Sequence, residues 1–228
     1  GRATSEIDVS ASSEGADTAG DRANAAAFLN DAAGIELGTT GDQAALNAGG
    51  ASRLNGKVDL SLSSNASSTN GDVDALSTIG DGQDGEDDQG AIGVEFNNHA
   101  NIGPGGSISA STDVDLNAQS NNIGSYGDSG ISPTSEADAG ADFIAGINAS
   151  STNGDVNFAS DANYNVTSNV TANAEARSAS GHSVSAEAGA TTKDSTGSGN
   201  NDAPTETMQV YGLHTDHNLN SGGSTNLQ

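Results

Sequence analysis

The segment DGQDGEDDQG, residues 81–90, is the part of the chain best suited to hold a metal ion. It places several carboxylates in a glycine-containing turn, and Ca²⁺ takes six to eight oxygen ligands in irregular geometry. Neither the 12-residue EF-hand pattern nor the glycine-rich calcium nonapeptide is present. The segment is a candidate calcium site, and calcium is the only cofactor we consider, but we favour a solvated acidic loop over specific calcium binding. The candidate ligands are Asp81, Asp84, Glu86, Asp87 and Asp88.

The segment HTDH offers three further potential ligands, His214, Asp216 and His217. In a strand, residues 214 and 216 share a face while residue 217 points away, so the three converge only if the chain turns there. We therefore favour a surface segment over a metal site. His99 and His182 are isolated in the sequence, and we expect both to be surface groups.

Four asparagines begin the N-x-Ser/Thr pattern that accepts N-linked glycans. Glycans at these positions would lie on the outer face of the protein and shield it. The chain is rich in Asn, Ser and Thr, so we favour chance occurrence of the pattern over actual glycosylation. The candidate glycosylation sites are Asn65, Asn148, Asn165 and Asn169.

No arrangement of residues indicates catalysis, and we expect the protein not to be an enzyme. The chain has no GxSxG elbow, no HExxH helix and no phosphate-binding glycine loop followed by Lys. It contains no Cys or Trp, and only six Lys and Arg residues are available to bind a polyanionic substrate. A polysaccharide-degrading protein and an ice-binding protein remain as remote alternatives, and the latter requires a flat, regular rank of Thr.

The composition limits both the core and the partners. The 228 residues carry a net charge of −25, which disfavours nucleic acid and anionic membrane surfaces as partners. Ile, Leu, Val and Phe together number 35, about 15% of the chain, too few for a thick core. No apolar run of 18 residues exists, so we expect no membrane-spanning segment. Composition alone would fit disorder, but the regular patterning of the polar residues argues against it.

Strict alternation of apolar and polar residues predicts strands in residues 5–13, 56–64, 106–120 and 163–190. Many of the inward positions in the last segment are Ala, which favours a thin core over a sandwich about 10 Å thick. Residues 21–34 could form a short Ala-rich helix ended by Gly34, or a strand and turn. The predicted core residues are Val58, Leu60, Val114, Leu116, Val166 and Val170.

A small or apolar residue, a glycine and an aliphatic residue recur in this order at Gly34, Gly93, Gly146 and Gly212, with spacings of 59, 53 and 66 residues. Paired glycines follow three of the four copies. The third copy has NASSTNGDV instead, a string that also occurs at residues 65–73 and hints at half the long period. The paired glycines predict turns at Gly49, Gly50, Gly105, Gly106, Gly222 and Gly223.

The last residues of the chain, followed by its first residues, reproduce the sequence pattern of one internal repeat. Read head to tail, NSGGSTNLQ and GRATSEIDVSASS recreate the order of GPGGSISASTDVDLNAQS, and four repeats then average 57 residues. Stacked repeats of this kind predict an all-β parallel solenoid, one elongated domain over residues 1–228 with an acidic loop near 80–90. We expect uncapped ends, each completed by another copy or by more of the same protein. Either handedness is compatible with the sequence.

The units GI, N, GGS and V-D-L-x-A resemble those of very large repetitive bacterial and cyanobacterial surface proteins, adhesins and extracellular filament proteins of β-solenoid type. The resemblance implies a secreted protein at the cell surface with a structural or adhesive role. The predicted function is a structural subunit of an extracellular filament or fibre that assembles head to tail. Copies of the chain are the expected partners, and cell-surface polysaccharide is a second candidate. The alternative is a stalk segment of a giant calcium-dependent adhesin.

Overall fold

The computed structural model shows an all-β protein whose strands pair in parallel. It describes residues 2–15, 22–37, 46–48, 52–69, 71–80, 90–96, 100–123, 134–141, 143–149, 156–158, 163–178, 183–189, 209–214 and 219–221. No helix occurs in these residues. The predictions of β structure and of parallel pairing are therefore confirmed.

The strands form four successive groups of four, which we call repeats 1 to 4. Repeat 1 is β1 (Arg2–Glu14), β2 (Ala23–Leu29), β3 (Ala32–Leu37) and β4 (Leu46–Ala48). Repeat 2 is β5 (Arg53–Ser68), β6 (Val73–Ile79), β7 (Gly90–Phe96) and β8 (Ala100–Ile102). Repeat 3 is β9 (Ser107–Asn122), β10 (Ser135–Ala141), β11 (Phe143–Asn148) and β12 (Val156–Phe158). Repeat 4 is β13 (Asn163–Ser178), β14 (Val184–Gly189), β15 (Gln209–His214) and β16 (Leu219–Ser221).

Each repeat adds one strand to each of four sheets. Sheet A has the order β1-β5-β9-β13, sheet B β14-β10-β6-β2, sheet C β15-β11-β7-β3 and sheet D β16-β12-β8-β4. Consecutive repeats therefore lie side by side in every sheet. In sheet A the register aligns Arg2 with Asn55, Arg53 with Ser107, and Ser107 with Asn163. Residues one repeat apart thus occupy the same position on adjacent strands, which we call a column.

Alternation determines which side of sheet A faces inward. In β5 and β9, residues alternate between buried and more exposed positions along most of each strand, with Leu60 and Leu116 buried in one repeat after the other. Sheet B supplies mostly small side chains on the other side of this core, including Ala25, Ala75 and Ala137. The core is thin because long aliphatic side chains from one sheet meet Ala from the other. Five of the six predicted core residues belong to this core, Val170 being only partly buried in it. The sixth, Val166, is buried in a second cluster that includes Val94 and Ile147 of sheet C.

Residues 22–34, the described part of the Ala-rich segment, form strands, so the helix alternative is wrong. Ala23, Ala25 and Ala27 are buried in β2, while the residues between them are exposed. Their strand pairs with β6 over its whole length. Ala has a high helix propensity, but pairing and burial in the stack override it because propensity is a weak prior.

The two copies of the string NASSTNGDV link different pairs of sheets. The first copy runs from β5 to Val73, where β6 begins, and so leads from sheet A to sheet B. The second runs from Asn148, at the end of β11, to Val156, where β12 begins, and so leads from sheet C to sheet D. The string is a strand-to-strand connection used twice, half a repeat out of step. The hint of a half-length period is therefore wrong, since paired strands lie a whole repeat apart.

Candidate functional site: the open ends of the four sheets

The recurring glycine of the sequence marks one position of sheet C. One column of sheet C contains Ala33, Ile92, Ala145 and Tyr211. The recurring glycine is the next residue along the strand after each of them. A Cβ added to Gly93 would lie 2.7 Å from the Gly146 carbonyl oxygen and 3.2 Å from the Ser111 nitrogen. The glycine is needed because the backbones of sheets A and C approach closely at this position.

Inward hydroxyl groups of sheet A join the two sheets beside these glycines. Ser5 donates to the Ala33 carbonyl, Thr112 to the Ala145 carbonyl and Ser168 to the Tyr211 carbonyl, each at 2.8 Å. The three donors share a column, and the three acceptors share another. Val58 occupies the donor position in repeat 2. A Ser or Thr at an inward position of an alternating strand is the sequence signal that could have predicted these bonds.

Further buried hydroxyls line the corner where sheet A passes to sheet B. Ser77 Oγ lies 2.9 Å from Ser64 Oγ and donates to the Asn117 carbonyl at 2.7 Å. The Ser120 and Ser135 hydroxyls lie 2.8 Å apart. Buried polar groups must be hydrogen-bonded to be tolerated, so these bonds hold the corner in one arrangement. The described hydroxyls beside this corner therefore act as structural hydrogen-bonding groups.

Repeats 1 and 4 form the two end faces of the stack. In the described residues, β1 pairs only with β5 and β13 only with β9. Inward residues of these strands, such as Ile7 and Val170, are partly buried, whereas their column neighbours Leu60 and Val114 are fully buried. Val184 and Val210 of repeat 4 are 47% and 42% exposed. Each end face thus presents open strand edges. It also presents part-exposed apolar side chains, whose column neighbours in the interior repeats are buried.

The outer face of sheet A is acidic. Glu6, Asp59 and Asp113 occupy one column of adjacent strands. Lys57 lies 2.7 Å from Asp59, and this hydrogen bond and charge, with smaller contributions from Asp113 and Glu6, raise the pKa of the exposed lysine. The shift extends the pH range over which the lysine is charged, so it loses its proton only as the pH rises through the raised pKa.

The described part of the chain contains no group of three or more His, Asp or Glu side chains arranged to hold a metal ion. The predicted calcium ligands Asp81, Asp84, Glu86, Asp87 and Asp88 lie outside the described residues, as do Asp216 and His217. The calcium site therefore remains a prediction.

Three of the four candidate glycosylation sites are exposed in long strands of sheet A, Asn65 in β5 and both Asn165 and Asn169 in β13. Asn148 is fully buried in β11, and its amide donates to Glu95 Oε1 at 3.4 Å. A glycan therefore has room at the three exposed sites in the folded chain and has none at Asn148.

A tight turn connects β8 to β9 at Gly103–Gly106. The Gly106 N–H donates to the Gly103 carbonyl at 3.1 Å, and Gly105 has φ 73° after Pro104. Pro at the second position of a turn and a positive φ at the third, here Gly105, are the geometry of a type II turn, which favours glycine at that third position. The other predicted turn glycines, Gly49, Gly50, Gly222 and Gly223, lie outside the described residues.

The outward positions of sheet A do not form the Thr rank that ice binding requires. Thr4 and Thr167 share a column, but Lys57 and Ser111 occupy it in the two repeats between them. The mixed column gives ice no regular array of hydroxyl and methyl groups.

Comparison with protein-family models, curated proteins and solved structures found no match to this chain. Within the residues that the structure describes, no helix is long and apolar enough to cross a membrane. The candidate functional site is the pair of open end faces, on the evidence of their unpaired strand edges and part-exposed apolar side chains.

Proposed function

We propose that the chain is a parallel β-solenoid and the structural subunit of an extracellular filament or cell-surface fibre, joined head to tail through its end faces. The observation that supports this is the parallel stacking of four repeats in all four sheets, with open edges at both ends. One face offers the first strand of every sheet and the other offers the last. A copy placed on either end therefore continues all four sheets at once.

Open edges of this kind drive association. An unpaired strand edge presents a row of N–H and C=O groups that template pairing with another chain. The two end faces differ from each other, so the contact is heterologous, and a heterologous contact that does not close a ring builds a filament. We infer that main-chain pairing supplies most of the contact and that inward apolar residues such as Ile7 and Val170 complete the core across the joint.

Polymerisation is the first expected result. The purified chain at near-neutral pH should form sedimentable fibres above a critical concentration, and sheared fibres added as seeds should remove any lag, because a seed presents ready-made end faces. Fibre formation can be measured by pelleting and by light scattering, neither of which needs a dye. A chain that stays monomeric at every concentration tested, with or without seeds, would contradict the proposal.

Lateral association should depend on salt because the subunit carries a net charge of −25. The Debye length falls from about 30 Å at 0.01 M salt to about 3 Å at 1 M, so repulsion between neighbouring fibres weakens over that range. We expect bundling, measured by fibre width in electron micrographs, to increase with ionic strength and to require less salt when Ca²⁺ is added. Bundling that is indifferent to both would refute this part of the account.

The second candidate is a stalk segment within a giant calcium-dependent adhesin. The same open end faces favour it, since further repeats of one polypeptide could continue the sheets covalently. The discriminating measurement is the mass of the natural protein on a denaturing gel. A band at 22.3 kDa supports the filament subunit, and a much larger band supports the stalk.

A further inference from the structure

We propose that the joint between two copies has one defined register, in which β1 of one copy lies beside β13 of the preceding copy with Arg2 opposite Asn165 and Glu14 opposite Arg177. This inference rests on the proposed head-to-tail assembly and specifies its contact. The register is the one that continues the columns of the chain. Glu14 shares a column with Ser67, Asn121 and Arg177, so a fifth strand in phase puts the next copy's Glu14 beside Arg177.

The inward side chains match in this register. Ile7 falls beside Val170, Val9 beside Ala172 and Ala11 beside Ala174, as the columns of sheet A require. All six residues are only partly buried in the single chain and pack against its core. The joint therefore buries on each side the apolar residues that repeats 1 and 4 leave part-exposed.

Side-chain sizes also match in sheets B and C. Continuing their columns puts Ala23 beside Val184 and Ala32 beside Val210. In both pairs a buried alanine of repeat 1 meets a valine of repeat 4 that is exposed in the single chain. The outward Phe28, which is 45% exposed, falls beside Gly189, which has no side chain to compete for space.

Charge favours the same register. Inside the chain, Glu6, Asp59 and Asp113 lie in one column, so like charges stand on adjacent strands. The fourth member of that column is Asn169, which the next copy's Glu6 would face without repulsion. Glu14 would meet Arg177, which already pairs with Glu175 on its own strand.

Other registers lose these matches. A shift of two residues toward the N-terminus of β13 places Glu14 beside Glu175, a pair of like charges. A shift of two the other way carries Glu14 past the end of β13 at Ser178. A shift of one residue exchanges the inward and outward faces of the strand, which exposes Ile7 and Val9 and buries the acidic column.

Cysteine cross-linking tests the register, and the absence of natural cysteine leaves no background. In the proposed joint, Ser10 is opposite Asn173, and both are outward positions of sheet A. The variant carrying Ser10→Cys and Asn173→Cys should form disulfides between copies when its fibres are oxidised with diamide, because adjacent strands bring the Cα atoms within the disulfide range of about 4.4–6.8 Å. A non-reducing denaturing gel should show a ladder of covalent multimers.

The matched control carries Ser10→Cys and Asn169→Cys. Residue 169 is also outward but lies four residues away along β13, about 13 Å from the cross-linking position. We expect the ladder to be lost in this control although fibres still form. A ladder in the control, or none in the Asn173 variant when its fibres form normally, would overturn the register and leave the filament standing. Failure of the unmodified chain to polymerise would overturn the filament itself.

Discussion

Replacement of Gly56 by alanine is expected to lower the free energy of unfolding by about 3 kcal/mol, at the upper end of the usual cost of overpacking a core. A Cβ at this position would lie 2.1 Å from the Gly93 carbonyl oxygen and 2.7 Å from Val94 Cγ2. The carbonyl belongs to the backbone of sheet C, so the side chain can fit only if a strand moves. The midpoint of thermal unfolding should fall by about 6–12 °C for a chain of this size.

Ala3 provides the matched control because it occupies the same column as Gly56 in repeat 1. The reverse substitution Ala3→Gly should change stability by no more than about 1 kcal/mol, the ordinary entropic cost of glycine in a strand. Urea unfolding of both variants measures the difference. If Gly56→Ala instead raised stability, as Gly→Ala does where the native backbone has room, the close approach of sheets A and C would be refuted.

A proline in β1 should prevent fibre growth if it replaces a residue whose N–H faces the open edge of sheet A. In a parallel strand, successive residues direct their N–H groups to opposite neighbours, so of Ser10 and Ala11 one faces β5 and the other faces the open edge. Proline removes the N–H, and its ring obstructs an incoming strand. We expect one of Ser10→Pro and Ala11→Pro to keep the thermal stability of the parent chain and to raise the critical concentration for fibres about tenfold or more, equivalent to about 1.4 kcal/mol.

The matching positions in the interior strand β9 are Asn117 and Ala118. Because β9 is paired on both sides, proline at either position should destabilise the single chain. Thermal unfolding and pelleting of the four variants separate the two effects. If the variant of β1 that keeps its stability polymerised as readily as the parent chain, the joint would not involve pairing at this edge.

Much of the fold could be predicted from the sequence because alternation and repetition are both local signals. The strands around Val58, Leu116 and Val166 follow from period-two patterning, since a half-buried strand needs an apolar residue at every second position. The spacing of Gly34, Gly93, Gly146 and Gly212 coincides with the register of sheet C, because residues one repeat apart in a parallel stack are neighbours in space.

Other features depend on tertiary contacts that a single segment does not encode. Ala23–Leu29 is a strand because it pairs with β6, although its composition equally suits a helix. The role of Thr112 depends on the Ala145 carbonyl, 33 residues away in a different sheet. Asn148 has the glycosylation pattern, but its side chain turns inward to Glu95. The match between Glu14 and Arg177 becomes visible only when the registers of three strand pairs are known.

The decisive test of head-to-tail assembly is electron microscopy with helical reconstruction of fibres grown from the purified 228-residue chain. Head-to-tail assembly predicts strands stacked across the fibre with an axial spacing of about 4.8 Å, and a subunit repeat of about 19 Å, which is four strand spacings. It also predicts continuous sheets through every joint, with β1 of each copy beside β13 of the one before. Discrete rods one subunit long, or fibres in which subunits meet through their side faces, would contradict head-to-tail assembly.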